Sequence, residues 1–255
     1  MLLAIDVGNT NVVIGVYDGD IIKKCWRMTT GSSRTADETG IFIHSLFDKS
    51  NVNIKEIDAA IISSVVPNIM YSLTHGIRKY FHIEPMIVGA GMKTGIFIKR
   101  DNPKEVGADR IVNLVAVNEL YGGPALVIDY GTANTFDVLN EKSEFITGFI
   151  SPGIQTCADA LYQRAAQLPK IEIKKPKSLI VKNTVGSLQA GIVTGHIGQT
   201  IYIIKQLKKE LNMPDMKVIA TGGLAKVIDP DNIIFDHLDP TLTLKGLKIL
   251  YEKNR

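Results

Sequence analysis

The stretch LLAIDVGNTNVVIGVYDGD, residues 2–20, decides how this chain is read. One apolar run, 2–6, ends in Asp6; a second, 12–17, begins after Gly8, Asn9, Thr10 and Asn11. Two such runs joined by small polar residues form a hairpin of strands. Gly8 lacks a side chain, so a ligand can approach the backbone closely. Exposed amides at such a turn make an anion-binding concavity, and Asn and Thr side chains add hydrogen bonds to phosphate oxygens. A carboxylate at the strand end can hold a hydrated Mg²⁺, which binds through one or two carboxylates plus phosphates. A plain β-turn uses Asn and Gly too, so this copy alone leaves both readings open.

The pattern then returns. ALVIDYGTANTFDVL (125–139) is again strand, Asp, one residue, Gly, small polar residues, strand. Asp6 aligns with Asp129 and Gly8 with Gly131, 123 positions apart and close to half the chain. A repeat at half length suggests two similar halves rather than a solenoid. Two such tips across a cleft would grip a nucleotide triphosphate from both sides. A third element, TGG (221–223), follows an apolar strand. Its paired glycines could admit the flat face of an adenine, or simply turn the chain from strand to helix.

Bulk properties exclude several classes. A chain of 255 residues with 45% hydrophobic composition can bury one large core or two small ones. The net charge of +3 is spread over interspersed residues, which does not imply nucleic acid. The densest lysine cluster, KIEIKKPKSLIVK (170–182), is short and interrupted and reads as a solvated loop. Cys25 and Cys157 show no metal-type spacing and point to a reduced interior. No signal peptide is evident, and no apolar stretch reaches the ~20 residues that span a bilayer, so a cytoplasmic protein without membrane association is expected.

Further elements follow from periodicity and punctuation. Helices are expected over 35–50, with Thr35 and Glu38 as a capping box, and over 68–81, 109–123, 187–211 and 242–253, with another near 153–167. Strands are expected over 59–67, 85–89 and 217–223. Alternating strands and helices give an α/β architecture. Gly122 and Gly123 mark a boundary and a hinge candidate, dividing the chain into 1–122 and 123–255. GAGMKTG (89–95) is not a phosphate-binding Walker loop, because Met92 precedes the lysine. The five histidines show no metal spacing, and Trp26 reads as packing.

Two Asp-x-Gly hairpins and a later Gly-Gly turn resemble the superfamily of actin, sugar kinases and acetate kinase. Within it, DVGNTN (6–11), GADRIVN (107–113), DYGTANTFD (129–137), ISPGI (150–154) and TGG (221–223) closely resemble type III pantothenate kinases, in order along nearly the whole chain. The resemblance implies two ribonuclease-H-like domains of the actin-like ATPase kind, facing across a nucleotide cleft. It implies transfer of the ATP γ-phosphate to the primary hydroxyl of pantothenate, the first step of coenzyme A synthesis. It also implies Mg²⁺, a monovalent cation (K⁺ or NH₄⁺) and a homodimer.

Roles carry over residue by residue. Asp6, Val7, Gly8, Asn9, Thr10, Asn11, Val12 and Val13 match the ATP-binding segment, with Asp6 holding Mg²⁺ through water, and Thr132 matches a second ATP contact. Asp109 matches the proton acceptor; read locally, it is equally a helix N-cap ahead of a run starting near Ile111. Gly107, Ala108, Asp109 and Arg110 match the pantothenate-binding segment, where an Arg fork suits a carboxylate; a surface salt bridge is the local alternative. Thr184 matches a substrate contact, or caps a helix before Gly186. Asp129 matches the monovalent-cation ligand.

The chain departs from the family pattern at Arg100, usually tyrosine, and at Asn134, Thr147, Val181 and Ala190. KRDN (99–102) is polar throughout, so Arg100 is expected in solvent rather than in a carboxylate clamp. Two rivals stand beside a pantothenate kinase. One is a kinase of a related small hydroxylated acid, raised by Arg100. The other is a non-catalytic nucleotide-binding regulator, which could lose Asp109 without penalty.

Overall fold

The computed structural model describes residues 1–31, 34–50 and 52–255. The chain forms two compact units, one of residues 1–95, 102–119 and 242–255, the other of 96–101 and 120–241.

The first unit begins with β1 (Leu2–Val7), β2 (Asn11–Asp18) and β3 (Ile21–Thr29). There follow α1 (Ala36–Asp48), β4 (Ala59–Ser64), α2 (Pro67–Phe81) and β5 (Met86–Ile87). The strands form one sheet in the order β3-β2-β1-β4-β5. β1 runs antiparallel to β2 and parallel to β4. Alternation sorts its side chains between faces. Leu3, Ile5 and Val7 join Val12, Ile14, Ala60 and Ile62 in a core closed by Ile43 and Phe47 of α1 and Leu73, Ile77 and Phe81 of α2. The expected capping box is present: Glu38 N donates to Thr35 Oγ1 at 3.2 Å and Thr35 N to Glu38 Oε2 at 2.7 Å. Pro67 begins α2 rather than ending a strand, because its fixed φ suits the first helical turn. Trp26 packs on Phe47, with ring centroids 5.2 Å apart.

The second unit contains β6 (Phe97–Ile98), and α3 (Ala108–Leu120) lies almost wholly in the first. Then come β7 (Ala125–Tyr130), β8 (Ala133–Leu139), β9 (Glu144–Pro152), α4 (Ile154–Arg164), α5 (Thr184–Glu210), β10 (Lys217–Thr221), α6 (Ala225–Ile228) and β11 (His237–Leu238). Its sheet has the order β11-β10-β7-β8-β9-β6. Leaving out the edge strand β6, this repeats the connectivity of the first sheet, with β7 in the place of β1 and β10 in the place of β4. The half-length repeat seen in the sequence is therefore a repeat of topology. In the loop after α4 the lysines face water while Ile171 and Ile173 are buried in the core of the unit.

The division differs from a single cut at residue 122. The final helix, α7 (Leu242–Asn254), belongs to the first unit. Its Leu244 and Leu247 are buried, and Leu244 lies against Gly15 of β2. Gly246 lies against Val112 of α3, and Thr243 Oγ1 bonds Asn113 Oδ1 at 2.8 Å. Apolar area decides the matter: α7 buries its leucines on the face of the first sheet opposite α1 and α2. A side chain at Gly246 meets the Val112 carbonyl, which cannot move aside as a flexible side chain would. Gly246→Val is therefore expected to cost about 2 kcal/mol or more, the scale of overpacking a tight contact, and to lower the melting temperature measured by circular dichroism.

Candidate active site

β1 is the middle strand of its sheet, so its backbone is laddered on both sides and its C-terminal end is fixed. Asp6 stands in register with Val13 on β2 and Ser63 on β4. It shares with Ser63 the sheet face opposite the α1–α2 core. Ser63 is fully buried, and its hydroxyl has no hydrogen-bond partner among the described residues. Beyond Asp6 the hairpin tip is closed by Gly8 N donating to Asn11 O at 3.0 Å. Thr30 holds the tip from the side, with Oγ1 donating to Gly8 O at 2.7 Å and N to Thr10 O at 2.9 Å. Two carbonyl oxygens, which repel phosphate, are thereby satisfied within the protein, while Asn9 and Thr10 stay exposed. This donor-rich tip beside a carboxylate suits a triphosphate with its hydrated Mg²⁺. Val7 and Val12 are buried in the core, so only their backbones are available to a ligand.

Asp109 lies inside the first turn of α3, not ahead of it. Ile111 N bonds Gly107 O at 3.2 Å, so the turn starts earlier than the apolar run near Ile111 suggests, and the N-cap reading of Asp109 fails. Its Oδ1 accepts from Arg110 N at 2.8 Å. Burial pushes the carboxyl pKa up; the Arg110 amide bond and the Arg110 charge pull the other way and are outweighed. A carboxyl with a raised pKa is tuned toward general-base work. Gly107 makes room for it, since a Cβ there would lie 2.5 Å from Asp109 Oδ1. The same Cβ would lie 3.6 Å from Val65, whose amide bonds Val7 O at 3.0 Å just past Asp6. Gly107 thus lies near Val65, which continues the ladder past the strand end that carries Asp6.

In the second unit Asp129 pairs in register with Thr135 and Thr221. The tip is one residue shorter than the first and is closed by Gly131 N donating to Ala133 O at 3.2 Å. Thr132 is exposed, and its carbonyl accepts from Gly153 N at 3.2 Å and Thr156 Oγ1 at 2.6 Å. Gly222, at φ +93, presses on this tip: a Cβ there would sit 2.5 Å from Asp129 Oδ1 and 2.6 Å from Tyr130 N. The Gly-Gly turn therefore meets the second hairpin through a position that only glycine can fill. Asp129 and the carbonyls around it are oxygen donors, the set that a hard cation takes. Thr184 is exposed as the first residue of α5, and the cap is Asn183, whose Oδ1 accepts from Gly186 N at 2.8 Å. Arg100 is exposed, as its polar surroundings predict, with its guanidinium 5.6 Å from the Phe145 ring centroid. Asp6 and the Gly107–Arg110 segment are brought together in the first unit, and Asp129 and Thr132 in the second; Thr184 lies in the second unit as well. Thr30, Ser63, Val65 and Thr156 carry no sequence signal, because each acts through a partner distant in the chain.

A profile of the type III pantothenate kinases matches residues 2–206. The chain belongs to that family. A type III pantothenate kinase of Agathobacter rectalis is 53% identical over 253 residues, covering 99% of this chain and 97% of the relative. Among solved structures, the ethanolamine utilization protein EutJ of Carboxydothermus hydrogenoformans aligns with a TM-score of 0.55 at 14% identity, over 97% of this chain and 89% of its own. MreB 5 of Spiroplasma citri, bound to AMPPNP, also aligns with a TM-score of 0.55, at 10% identity over 98% and 96%. At such identities these two similarities speak to the fold alone, and the fold is the actin-like one expected.

For a member of this kinase family, the raised pKa of Asp109 has a consequence for stability. The native chain binds this proton more tightly than the unfolded chain. Its contribution therefore turns unfavourable as pH rises above the unfolded value of about 3.9. Asp109→Asn keeps an acceptor for Arg110 N and removes the buried charge. The variant is expected to melt at or above the wild-type temperature at neutral pH. The gain should shrink as pH falls and vanish below the unfolded value, in calorimetry across that range.

Proposed function

We infer that this chain phosphorylates pantothenate with ATP, transferring the γ-phosphoryl group to the primary hydroxyl as the first step of coenzyme A synthesis. The observation that carries this reading is Asp109, a carboxylate held partly out of water with a raised pKa, in a segment that passes near Val65 beside the strand end of Asp6. Phosphoryl transfer needs positioning, charge neutralisation and an acceptor for the hydroxyl proton. Asp109 is that acceptor. Arg110, with the backbone of Gly107 and Ala108, holds the pantothenate carboxylate, and Thr184 adds a substrate contact. The first tip, from Asp6 to Val13, and Thr132 bind ATP. Asp6 orients Mg²⁺ through water, and the ion when bound neutralises phosphate charge. Asp129 binds K⁺ or NH₄⁺.

A second reading keeps the chemistry and changes the acceptor to another small hydroxylated acid. Arg100 favours it, being a charge above Phe145 where the family usually has tyrosine. A nucleotide-binding regulator has no use for a tuned Asp109. A coupled ADP-release assay with pantothenate, Mg²⁺ and K⁺ separates all three. We place the enzyme in the cytoplasm; among the described residues no helix is long and apolar enough to cross a membrane. We also propose a homodimer. α5 presents Gly191, Gly195 and Gly198 with open space above each, near exposed Ile201 and Tyr202, which suits a second copy. Sedimentation should give twice the chain mass.

Three results are expected in that assay. Asp109→Asn should lower turnover by roughly 10²-fold or more, the scale of general-base catalysis, while isothermal titration still detects pantothenate. Gly107→Ala should displace the Asp109 carboxylate, keep the fold and lower turnover, since misplacement by about 1 Å costs up to ~10²-fold. Turnover should also require a monovalent cation, and Asp129→Ala should remove that requirement together with most activity; equal rates in Na⁺ and K⁺ would count against the role of Asp129.

A further inference from the structure

The two hairpin tips differ in length, yet the carbonyls of each are held by a backbone N–H and a threonine hydroxyl. In the first unit Thr30, the residue after β3, supplies both. Its N donates to Thr10 O at 2.9 Å and its Oγ1 to Gly8 O at 2.7 Å. In the second unit Gly153, the residue after β9, donates N to Thr132 O at 3.2 Å. The backbone bond is thus repeated, but glycine brings no hydroxyl. Threonine does not fit there, because a Cβ at 153 would meet the carbonyl oxygens of Gly131 and Thr132. The hydroxyl comes instead from Thr156 in the first turn of α4, whose Oγ1 donates to Thr132 O at 2.6 Å. Two threonines on unrelated elements therefore serve the two tips alike.

The fold alone does not call for these hydroxyls. Each tip is already closed by its own backbone bond, Gly8 N to Asn11 O and Gly131 N to Ala133 O. The Thr156 bond is exposed and the Thr30 bond part-buried, so water could satisfy the same carbonyls. Water would not fix their direction. In a trans peptide the C=O and N–H point opposite ways. Tying Gly8 O therefore turns the Asn9 N–H to the other side of the tip, and tying Thr132 O does the same for the Ala133 N–H. We propose that Thr30 and Thr156 are positioning residues for the nucleotide, a role that rests on reading the two tips as the ATP site. Their hydroxyls keep tip carbonyls off the phosphate side and leave the Asn9 and Ala133 amides as donors there.

Isothermal titration of the full chain with Mg²⁺–AMPPNP tests this without the acceptor. Thr30→Val and Thr156→Val keep the branched shape and lose the hydroxyl. Each should weaken nucleotide binding by about 2- to 10-fold, the worth of one hydrogen bond. Thr30→Ser and Thr156→Ser should bind as the wild type does. In the ADP-release assay the valine variants should raise the ATP KM by a similar factor and leave the pantothenate KM unchanged. A purely structural role would instead lower the melting temperature and move both KM values together. Should a valine variant fail to fold, amide hydrogen exchange of the wild type decides, with Mg²⁺–AMPPNP expected to protect Asn9 and Ala133. Unaltered nucleotide affinity in either valine variant, an equal loss in the serine variants, or unprotected amides would each overturn the proposal. A wild type that binds AMPPNP but releases no ADP with pantothenate would refute the kinase reading alone.

Discussion

The parallel pairing of β1 with β4 governs where chemistry can occur in the first unit. Parallel strands end at the same edge, and their continuations leave from that edge. Asp6 and Ser63 are held in register there, and the ladder runs one step further through the bond from Val65 to Val7. The hairpin after β1, the turn into α2 and the start of α3 converge on that point. A slip of one residue in this register would send the Asp6 carboxylate to the opposite face, into the apolar layer of α1 and α2. The edge that carries Asp6 and the hydrophobic core thus rest on a single pairing.

The second unit repeats the plan but not its details. β7 and β10 hold Asp129 and Thr221 in register as β1 and β4 hold Asp6 and Ser63. The second tip is shorter, and its carbonyl is held by the β9–α4 junction rather than by a threonine at the end of a third strand. Gly222 crowds Asp129 so closely that any side chain there would displace the carboxylate. The two tips thus share a topology and differ in length and in what holds them.

Much of this was legible in the sequence because it is local. The hairpins, the Thr35–Glu38 capping box and the long helices follow from periodicity and caps. β3 and β9 were not legible. β3 is mostly exposed, with Lys23, Lys24 and Arg27 along an edge, so it lacks the apolar signal of a core strand. β6 and β11 are two-residue strands that exist only through their partners. The N-cap alternative for Asp109 failed because Gly107 supplies the first carbonyl of the helix, a role of backbone and not of residue type. For Thr184 the neighbouring Asn183 was the stronger cap. The domain boundary was misplaced for a further reason: local punctuation at Gly122 and Gly123 reveals a turn, but not that α7 returns to a sheet begun more than two hundred residues earlier.

That return orders events during synthesis. β1 to β5 leave the ribosome before the second unit, yet one face of their sheet is completed by α7, which is made after it. The second unit has all of its strands and helices available before α7 emerges. The later-made unit is therefore free to mature while the earlier-made one still shows an uncovered apolar face to chaperones. The enzyme is assembled out of order, and the interval before α7 docks is when a nascent chain is most exposed to aggregation.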